Sequence, residues 1–164
     1  MKFIVKQQAG ALALAGASLL ASGTATAAVT VSYTDPENYA DLANNDYDRA
    51  HLLKEFDGYF ASLGSRLPAG QNLQIEVLDV DLAGRVEPNM RGADLRILRG
   101  GADWPRMRLR YRLESNGQVL SSGEDDLSNM MYLDRMNHYN RGDTLRYEKQ
   151  MLDDWFSKKF APAK

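Results

Sequence analysis

The sequence RMRLRYRLESNGQVLSSGEDDL, residues 106–127, carries the strongest structural signal in the chain. In its first half every second residue is apolar, and the residues between them are arginines. A β-strand with this alternation buries one face and exposes the other. Asn116-Gly117 then separates it from a second segment, and Asn-Gly in this position is typical of a two-residue β-hairpin turn. The stretch therefore predicts an antiparallel hairpin with one charged face.

The charged face would carry four guanidinium groups in a row, which we call the arginine row: Arg106, Arg108, Arg110 and Arg112. Arginine binds phosphate and carboxylate oxygens through two parallel hydrogen bonds, so the row could bind phosphate, a lipid head group or an acidic glycan. The alternative is a solvated sheet face whose arginines pair across strands with acids. The acids available for this are Glu76, Asp79, Glu124 and Asp125.

The residues before the hairpin alternate between strand and helix patterns. Residues 29–34 predict a half-buried strand, and residues 46–66 predict a helix from apolar positions three and four apart, capped by Asp46 or Asp48. Residues 73–82 predict a strand whose apolar side changes near Val77-Leu78. That change indicates either a β-bulge or burial on both faces.

The remaining segments complete the predicted architecture. Residues 84–92 predict a loop, 94–99 a short strand, 128–143 an irregular or weakly helical segment, and 145–160 a final helix. Ser121-Ser122-Gly123 indicates a bulge in the second hairpin strand. We expect an α+β fold: a largely antiparallel sheet of four to five strands with two helices packed on one face.

The first 27 residues have the three parts of a secretory signal peptide. Lys2 and Lys6 precede an apolar run at 9–20, and Ala25-Thr26-Ala27 is a small-x-small cleavage pattern. The run of about 12 residues is shorter than the roughly 20 that a membrane span needs, which disfavours the alternative of an uncleaved anchor. We therefore expect residues 1–27 to be a signal peptide and residues 28–164 to be a single α+β domain outside the cytoplasm.

Composition excludes several classes of site and partner. The chain has no cysteine, so it has no disulfide, thiol nucleophile or zinc–thiolate site. It carries 20 basic and 22 acidic residues, and both lysines of the predicted signal peptide would be lost on cleavage. An acidic mature chain argues against general nucleic-acid binding. No later segment predicts a transmembrane helix.

A second candidate site consists of soft metal ligands: Met130, Met131, Met136 and His138. Thioether and imidazole groups suit Cu(I), so an envelope copper site is the alternative function. The competing interpretation is that these methionines fill gaps where an irregular segment packs on the sheet.

The acidic clusters give weaker hypotheses. Asp79 and Asp81 would share a strand face, and residues 124–126 are consecutive acids, but no base, nucleophile or oxyanion donor can be placed beside them. Asn44, Asp46 and Asp48 resemble a calcium loop, but Arg49 stands where the loop needs glycine. We find no catalytic or cofactor motif. The sequence therefore gives no support for an enzyme or for a bound cofactor.

Several runs together resemble a family of small exported proteins of Gram-negative bacteria that is classed as a domain of unknown function. The runs are Val29-Thr30-Val31, Asp35-Pro36-Glu37, residues 79–84, Trp104-Pro105-Arg106, residues 123–128 and residues 145–156. The resemblance implies a periplasmic location. It implies no activity and no site residues.

The leading functional hypothesis is a non-enzymatic periplasmic protein. Its partner would be an envelope protein or an anionic ligand, bound through the arginine-lined hairpin.

The signal-peptide hypothesis predicts a processed N-terminus. We expect the exported protein to begin at Ala28, or at Val29 if cleavage follows Ala28. Intact-mass spectrometry of the periplasmic fraction measures this directly. Recovery of the full-length precursor from the membrane fraction would contradict cleavage.

Overall fold

The computed structural model describes residues 26–43, 45–88 and 94–160. The predicted signal peptide therefore lies outside the described residues except for its last two positions. Asn44, part of the calcium-like pattern, also lies outside them.

The first two strands form a parallel pair joined by a helix. Strand β1 (Ala28–Tyr33) is followed by helix α1 (Asp46–Leu63) and then by strand β2 (Gln71–Asp81). Ala28 lies beside Asn72, and Tyr33 beside Val77. Parallel strands need a long crossover connection, and α1 provides it. The sequence did not assign this parallel pairing.

The ends of α1 differ slightly from the prediction. Its last predicted turn, Gly64–Arg66, is a 3₁₀ helix. Its N-cap is Asn45, whose side-chain oxygen accepts a hydrogen bond from the Asp48 backbone N–H at 2.8 Å. The prediction that Asp46 or Asp48 caps the helix was wrong, because Asn45 already satisfies the exposed N–H of the first turn.

A small separate hairpin follows β2. Strand β3 (Arg85–Pro88) pairs antiparallel with strand β4 (Asp94–Ile97). The expected loop at residues 84–92 was therefore wrong at its start. Strand β3 has only four residues and ends in proline, so its sequence does not show the apolar–polar alternation by which a strand is predicted.

The predicted hairpin is present and forms the far half of the main sheet. Strands β5 (Arg106–Ser115) and β6 (Gln118–Ser128) are antiparallel. Asn116 and Gly117 both have positive φ, at 51° and 78°, as a type I′ turn requires. The sheet order is β1-β2-β5-β6, and two of its three pairings are antiparallel.

Two irregularities interrupt the strands that flank β5. The register of β2 shifts between Val77 and Asp79, which confirms a bulge at Leu78. In β6 the register shifts at Leu120, because Leu113 pairs with Ser121 and Glu114 with Val119. The prediction of a bulge at residues 121–123 was therefore misplaced by one residue.

Both helices cover the same face of the main sheet, as predicted. The second, α2 (Arg146–Phe160), packs against β5 through aromatic rings: Tyr111 lies edge-on to Trp155 at 6.1 Å and to Phe160 at 5.4 Å between centroids. The shared core contains fully buried side chains from both helices and from the sheet: Phe56, Phe60, Leu73, Val77, Leu109, Leu152 and Phe156.

The predicted irregular segment consists of turns and bends between β6 and α2. Tyr132 anchors it: the side chain is 1% exposed, and its ring lies 4.9 Å from that of Tyr147. Within the three described ranges, no helix has the length and apolarity to cross a membrane.

The turn of the β5–β6 hairpin can be tested with a matched pair of alanine substitutions. Nothing lies within 4 Å of an added Cβ at Gly117 or at Gly101, but only Gly117 has positive φ. Gly117→Ala should therefore lower the free energy of unfolding by about 1 kcal/mol through backbone strain alone. Gly101→Ala should change it by less than about 0.5 kcal/mol. Urea unfolding measures both, and equal values would contradict the turn geometry.

Candidate functional site

The arginine row lies on the outer face of the main sheet, opposite the helices. Arg106 lies 3.6 Å from the carboxylate of Asp81, and Arg108 lies 2.8 Å from that of Asp126. Arg112 pairs along its own strand with Glu114 at 2.6 Å.

Arg110 occupies the middle of the row and bridges two strands. One nitrogen lies 2.6 Å from Glu76 on β2, and another lies 3.1 Å from Glu124 on β6. A hydrogen bond from the Thr34 hydroxyl and the charge of Arg110 hold the pKa of Glu76 below its ordinary value. Every arginine of the row thus has a carboxylate partner within the sheet, so the face is not an unpaired cationic patch.

The expected partner Asp125 points to the other face. It accepts a hydrogen bond from Trp155 Nε1 at 2.8 Å and forms an ion pair with Lys159 of α2. The cause is the bulge at Leu120. Without that extra residue Asp125 would stand opposite Arg108, but the bulge moves Asp126 into that position.

The two aspartates near the end of β2 do share a face, as predicted. Asp79 lies opposite Arg108, and Asp81 lies opposite Arg106. Asp79 accepts a hydrogen bond from the backbone N–H of Ala40 at 2.8 Å. Burial raises the pKa of Asp81. These carboxylates hold the loop after β1 and the end of the arginine row.

The structure leaves the residues of the methionine cluster on the surface. The side chains of Met130, Met131 and Met136 are 64%, 56% and 81% exposed, and His138 is also exposed. The alternative that these methionines fill gaps in the packing was wrong, because Tyr132 fills the position under this segment. Among the residues that the structure describes, no three histidine, aspartate or glutamate side chains are placed to hold a metal ion.

A cavity of about 690 Å³ lies between α1, the β3–β4 hairpin and the segment that precedes α2. We call it the central cavity. Chain segments far apart in sequence contribute its apolar walls: Leu42, Leu52, Leu82, Val86, Leu98 and Leu145.

Four of the charges in or beside the central cavity neutralise each other. Arg96 donates two hydrogen bonds to Asp41, at 2.9 and 3.2 Å, and a third to the carbonyl of Ala83 at 3.3 Å. Asp143 pairs with Lys149 at 2.7 Å. These pairs fix the walls.

Two arginines of the lining differ from Arg96. Within the described ranges, neither Arg141 nor Arg146 has a carboxylate in ion-pair contact. The Nε of Arg146 is buried and has no hydrogen-bond partner among the described residues. Its guanidinium carbon lies 5.0 Å from the centre of the Tyr147 ring, which also lines the cavity. The lining therefore includes two arginines that no carboxylate of the described residues neutralises.

Glu148 lies behind the cavity wall. Its side chain is 1% exposed, and Oε1 accepts a hydrogen bond from the backbone N–H of Ala83 at 2.7 Å. Oε2 has no partner among the described residues. Burial raises the pKa of this carboxyl group above its ordinary value. Glu148 thus connects α2 to Ala83, the wall residue whose carbonyl oxygen accepts a hydrogen bond from Arg96.

Sequence reasoning missed the central cavity because no motif links its contributors. One signal was available: Glu148 falls three residues after Leu145 and four before Leu152, on the apolar stripe of α2. A charged residue at a core position of a helix indicates a buried polar contact, because charged side chains are rarely buried without a hydrogen-bond or ion-pair partner.

The buried Glu148 predicts a pH-dependent stability. The folded protein binds the proton of the Glu148 carboxyl group more tightly than the unfolded chain does, because burial raises the pKa of this group above 4.5. The free energy of unfolding should therefore fall as the pH rises from 4.5 through the raised pKa. Glu148→Gln, which keeps the acceptor for Ala83, should remove this fall.

Urea unfolding from about pH 4 to about pH 8 measures the effect. Glu37→Gln is the matched control, since Glu37 is exposed, and it should keep the wild-type pH profile. A Glu148→Gln profile that is parallel to the wild-type profile would contradict the raised pKa.

Comparison with known proteins places the chain in a family. A family model described as "Protein of unknown function (DUF3016)" matches residues 27–158, from just before β1 into the last turn of α2. No curated protein and no solved structure gave a match. The match confirms the resemblance to a family of unknown function and covers the whole sheet, the arginine row and the central cavity. The chain belongs to the DUF3016 family.

Proposed function

We propose that this protein is a non-enzymatic binding protein for a small organic carboxylate with an apolar body, and that the ligand binds in the central cavity. The observation that carries the proposal is the pair Arg141 and Arg146, which line the cavity and have no carboxylate in ion-pair contact among the described residues. A guanidinium without an internal carboxylate partner can form its paired hydrogen bonds with an external anion.

The size and lining of the central cavity support a small-molecule ligand. Its volume of about 690 Å³ falls inside the range of about 300–1,000 Å³ that is usual for such sites. Apolar walls together with charged groups that orient the ligand are also found in such sites, and this lining contains both. The walls would bury the apolar body, while Arg141 and Arg146 would bind the anionic group.

The chemistry of arginine selects the anionic group. A guanidinium forms two parallel hydrogen bonds to a carboxylate or a phosphate. The lining also includes two carboxylates without a lysine or arginine in ion-pair contact among the described residues, Asp48 and Glu55. They repel a doubly charged phosphate more strongly than a singly charged carboxylate. We therefore favour a carboxylate.

The arginine row is a weaker candidate for the same role. Each of its guanidiniums already contacts a carboxylate of the sheet. An external anion would have to displace those partners. We propose that the row fixes the register of the sheet, and that anion binding belongs to the central cavity.

The N-terminal pattern supports a location for this activity. We propose that residues 1–27 are removed as a signal peptide and that residues 28–164 act as one domain in the periplasm. The ligand would then be a solute that the protein meets outside the cytoplasm.

Isothermal titration with straight-chain carboxylates and their neutral amides tests the proposal. We expect one carboxylate per chain, with the matching amide at least about tenfold weaker, because the amide has no charge for Arg146 to bind. Arg146→Ala and Arg141→Ala should each weaken carboxylate binding by a similar factor. Arg110→Ala is the matched control on the outer face and should leave affinity unchanged.

Two results would overturn this function. One is that no compound with a carboxylate binds, whether or not it also carries a cationic group. The other is that Arg110→Ala weakens binding as much as Arg146→Ala does.

A further inference from the structure

We infer that the ligand of the central cavity is a zwitterion, with a cationic group next to its carboxylate. This inference rests on the proposed function and narrows its ligand class. The observation behind it is a second set of lining charges, of opposite sign to Arg141 and Arg146.

The charges that remain after internal pairing are balanced. Arg96 is paired with Asp41, and Asp143 is paired with Lys149. In the described part of the chain, the lining then still contains two carboxylates without a lysine or arginine in ion-pair contact, Asp48 and Glu55. A ligand that satisfies both arginines and both acids must carry both signs of charge.

Glu55 is the stronger of the two acids as a ligand for a cation. Its side chain is only 31% exposed. One oxygen accepts a hydrogen bond from the Thr144 hydroxyl at 3.1 Å, and the other lies 3.5 Å from His51 Nδ1. Neither oxygen contacts a lysine or arginine within the described ranges, so the carboxylate can accept further hydrogen bonds from an ammonium group.

The same contact joins Glu55 to the chain segment that carries both arginines. Thr144 lies between Arg141 and Arg146 in the chain, and its hydroxyl binds Glu55 directly. Asp48, one turn of α1 before His51 and two turns before Glu55, lines the cavity as well. Asp48 also accepts from Asn45 Nδ2 at 2.7 Å, so it contributes a second, partly occupied carboxylate.

Charge repulsion disfavours the two simpler ligand classes. A ligand with only a carboxylate would face Glu55 and Asp48 without compensation, and a ligand with only an ammonium group would face the two arginines. In an α-amino acid both charges sit on neighbouring atoms of one carbon skeleton. An aliphatic or aromatic side chain would then fill the space between the apolar walls: Leu42, Leu52, Leu82, Val86, Leu98 and Leu145. The ligand class is therefore an apolar α-amino acid or a closely similar zwitterion.

Titration with skeleton-matched compounds tests this directly. Leucine and 4-methylpentanoate share one carbon skeleton and differ by the α-ammonium group, and 3-methylbutylamine lacks the carboxylate. Phenylalanine and 3-phenylpropanoate form a second such pair. For at least one pair, we expect the amino acid to bind at least about tenfold more tightly than its deaminated analogue, and the amine not to bind.

Substitutions of the acidic residues then test whether Glu55 binds the ammonium group of the ligand. Glu55→Gln keeps an acceptor for Thr144 and should weaken amino-acid binding by about tenfold, while binding of the deaminated analogue stays equal or becomes tighter. Asp48→Asn should act in the same direction with a smaller effect. Asp57→Asn is the control: Asp57 lies on the same helix but accepts from the Tyr33 hydroxyl at 2.9 Å, away from the cavity lining.

The outcomes separate this inference from the proposed function. If the deaminated acids bind as tightly as the amino acids in the wild-type protein, the zwitterion is wrong and the carboxylate site stands. If Glu55→Gln and Asp48→Asn both leave amino-acid affinity unchanged, the zwitterion is also wrong. If neither class binds, the proposed function fails and this inference fails with it.

Discussion

The alternation in β5 sets the register of the whole sheet. Its apolar side chains face the helices and its arginines face outward, so each neighbouring strand must match that division residue by residue. Both neighbours do so only by inserting one extra residue: Leu78 in β2 and Leu120 in β6. The bulge in β2 keeps Val77 and Val80 together in the core. The bulge in β6 puts Glu124 and Asp126 on the arginine side. The core and the charged face therefore depend on a single register.

The features that sequence reasoning predicted are those with a local, repeated pattern. The hairpin, its Asn116-Gly117 turn, both helices and the bulge in β2 each follow from side-chain periodicity or turn chemistry. Glu76 and Glu124 were also predicted correctly as partners of the arginine row.

The features it missed depend on long-range pairing or on very short segments. The parallel contact of β1 with β2 joins strands separated by a helix, and local alternation does not specify a partner. Strand β3 is too short for a periodic signal. Asp125 was assigned to the wrong face because one inserted residue reverses every side chain beyond it. The central cavity was missed because its lining comes from separate segments. The one local signal was Glu148, a charged residue on the apolar stripe of α2 that binds the cavity-wall residue Ala83.

The bulge at Leu120 also affects how this sheet meets other chains. Strand β6 is the last in the order β1-β2-β5-β6, so one of its sides has no neighbouring strand among the residues that the structure describes. A long, straight edge strand is a template for unwanted strand addition and aggregation. Here the inserted residue breaks the even spacing of the backbone groups, and three consecutive acids at 124–126 follow it. The residue that brings β6 into register with β5 therefore also interrupts the edge on which a further strand could add.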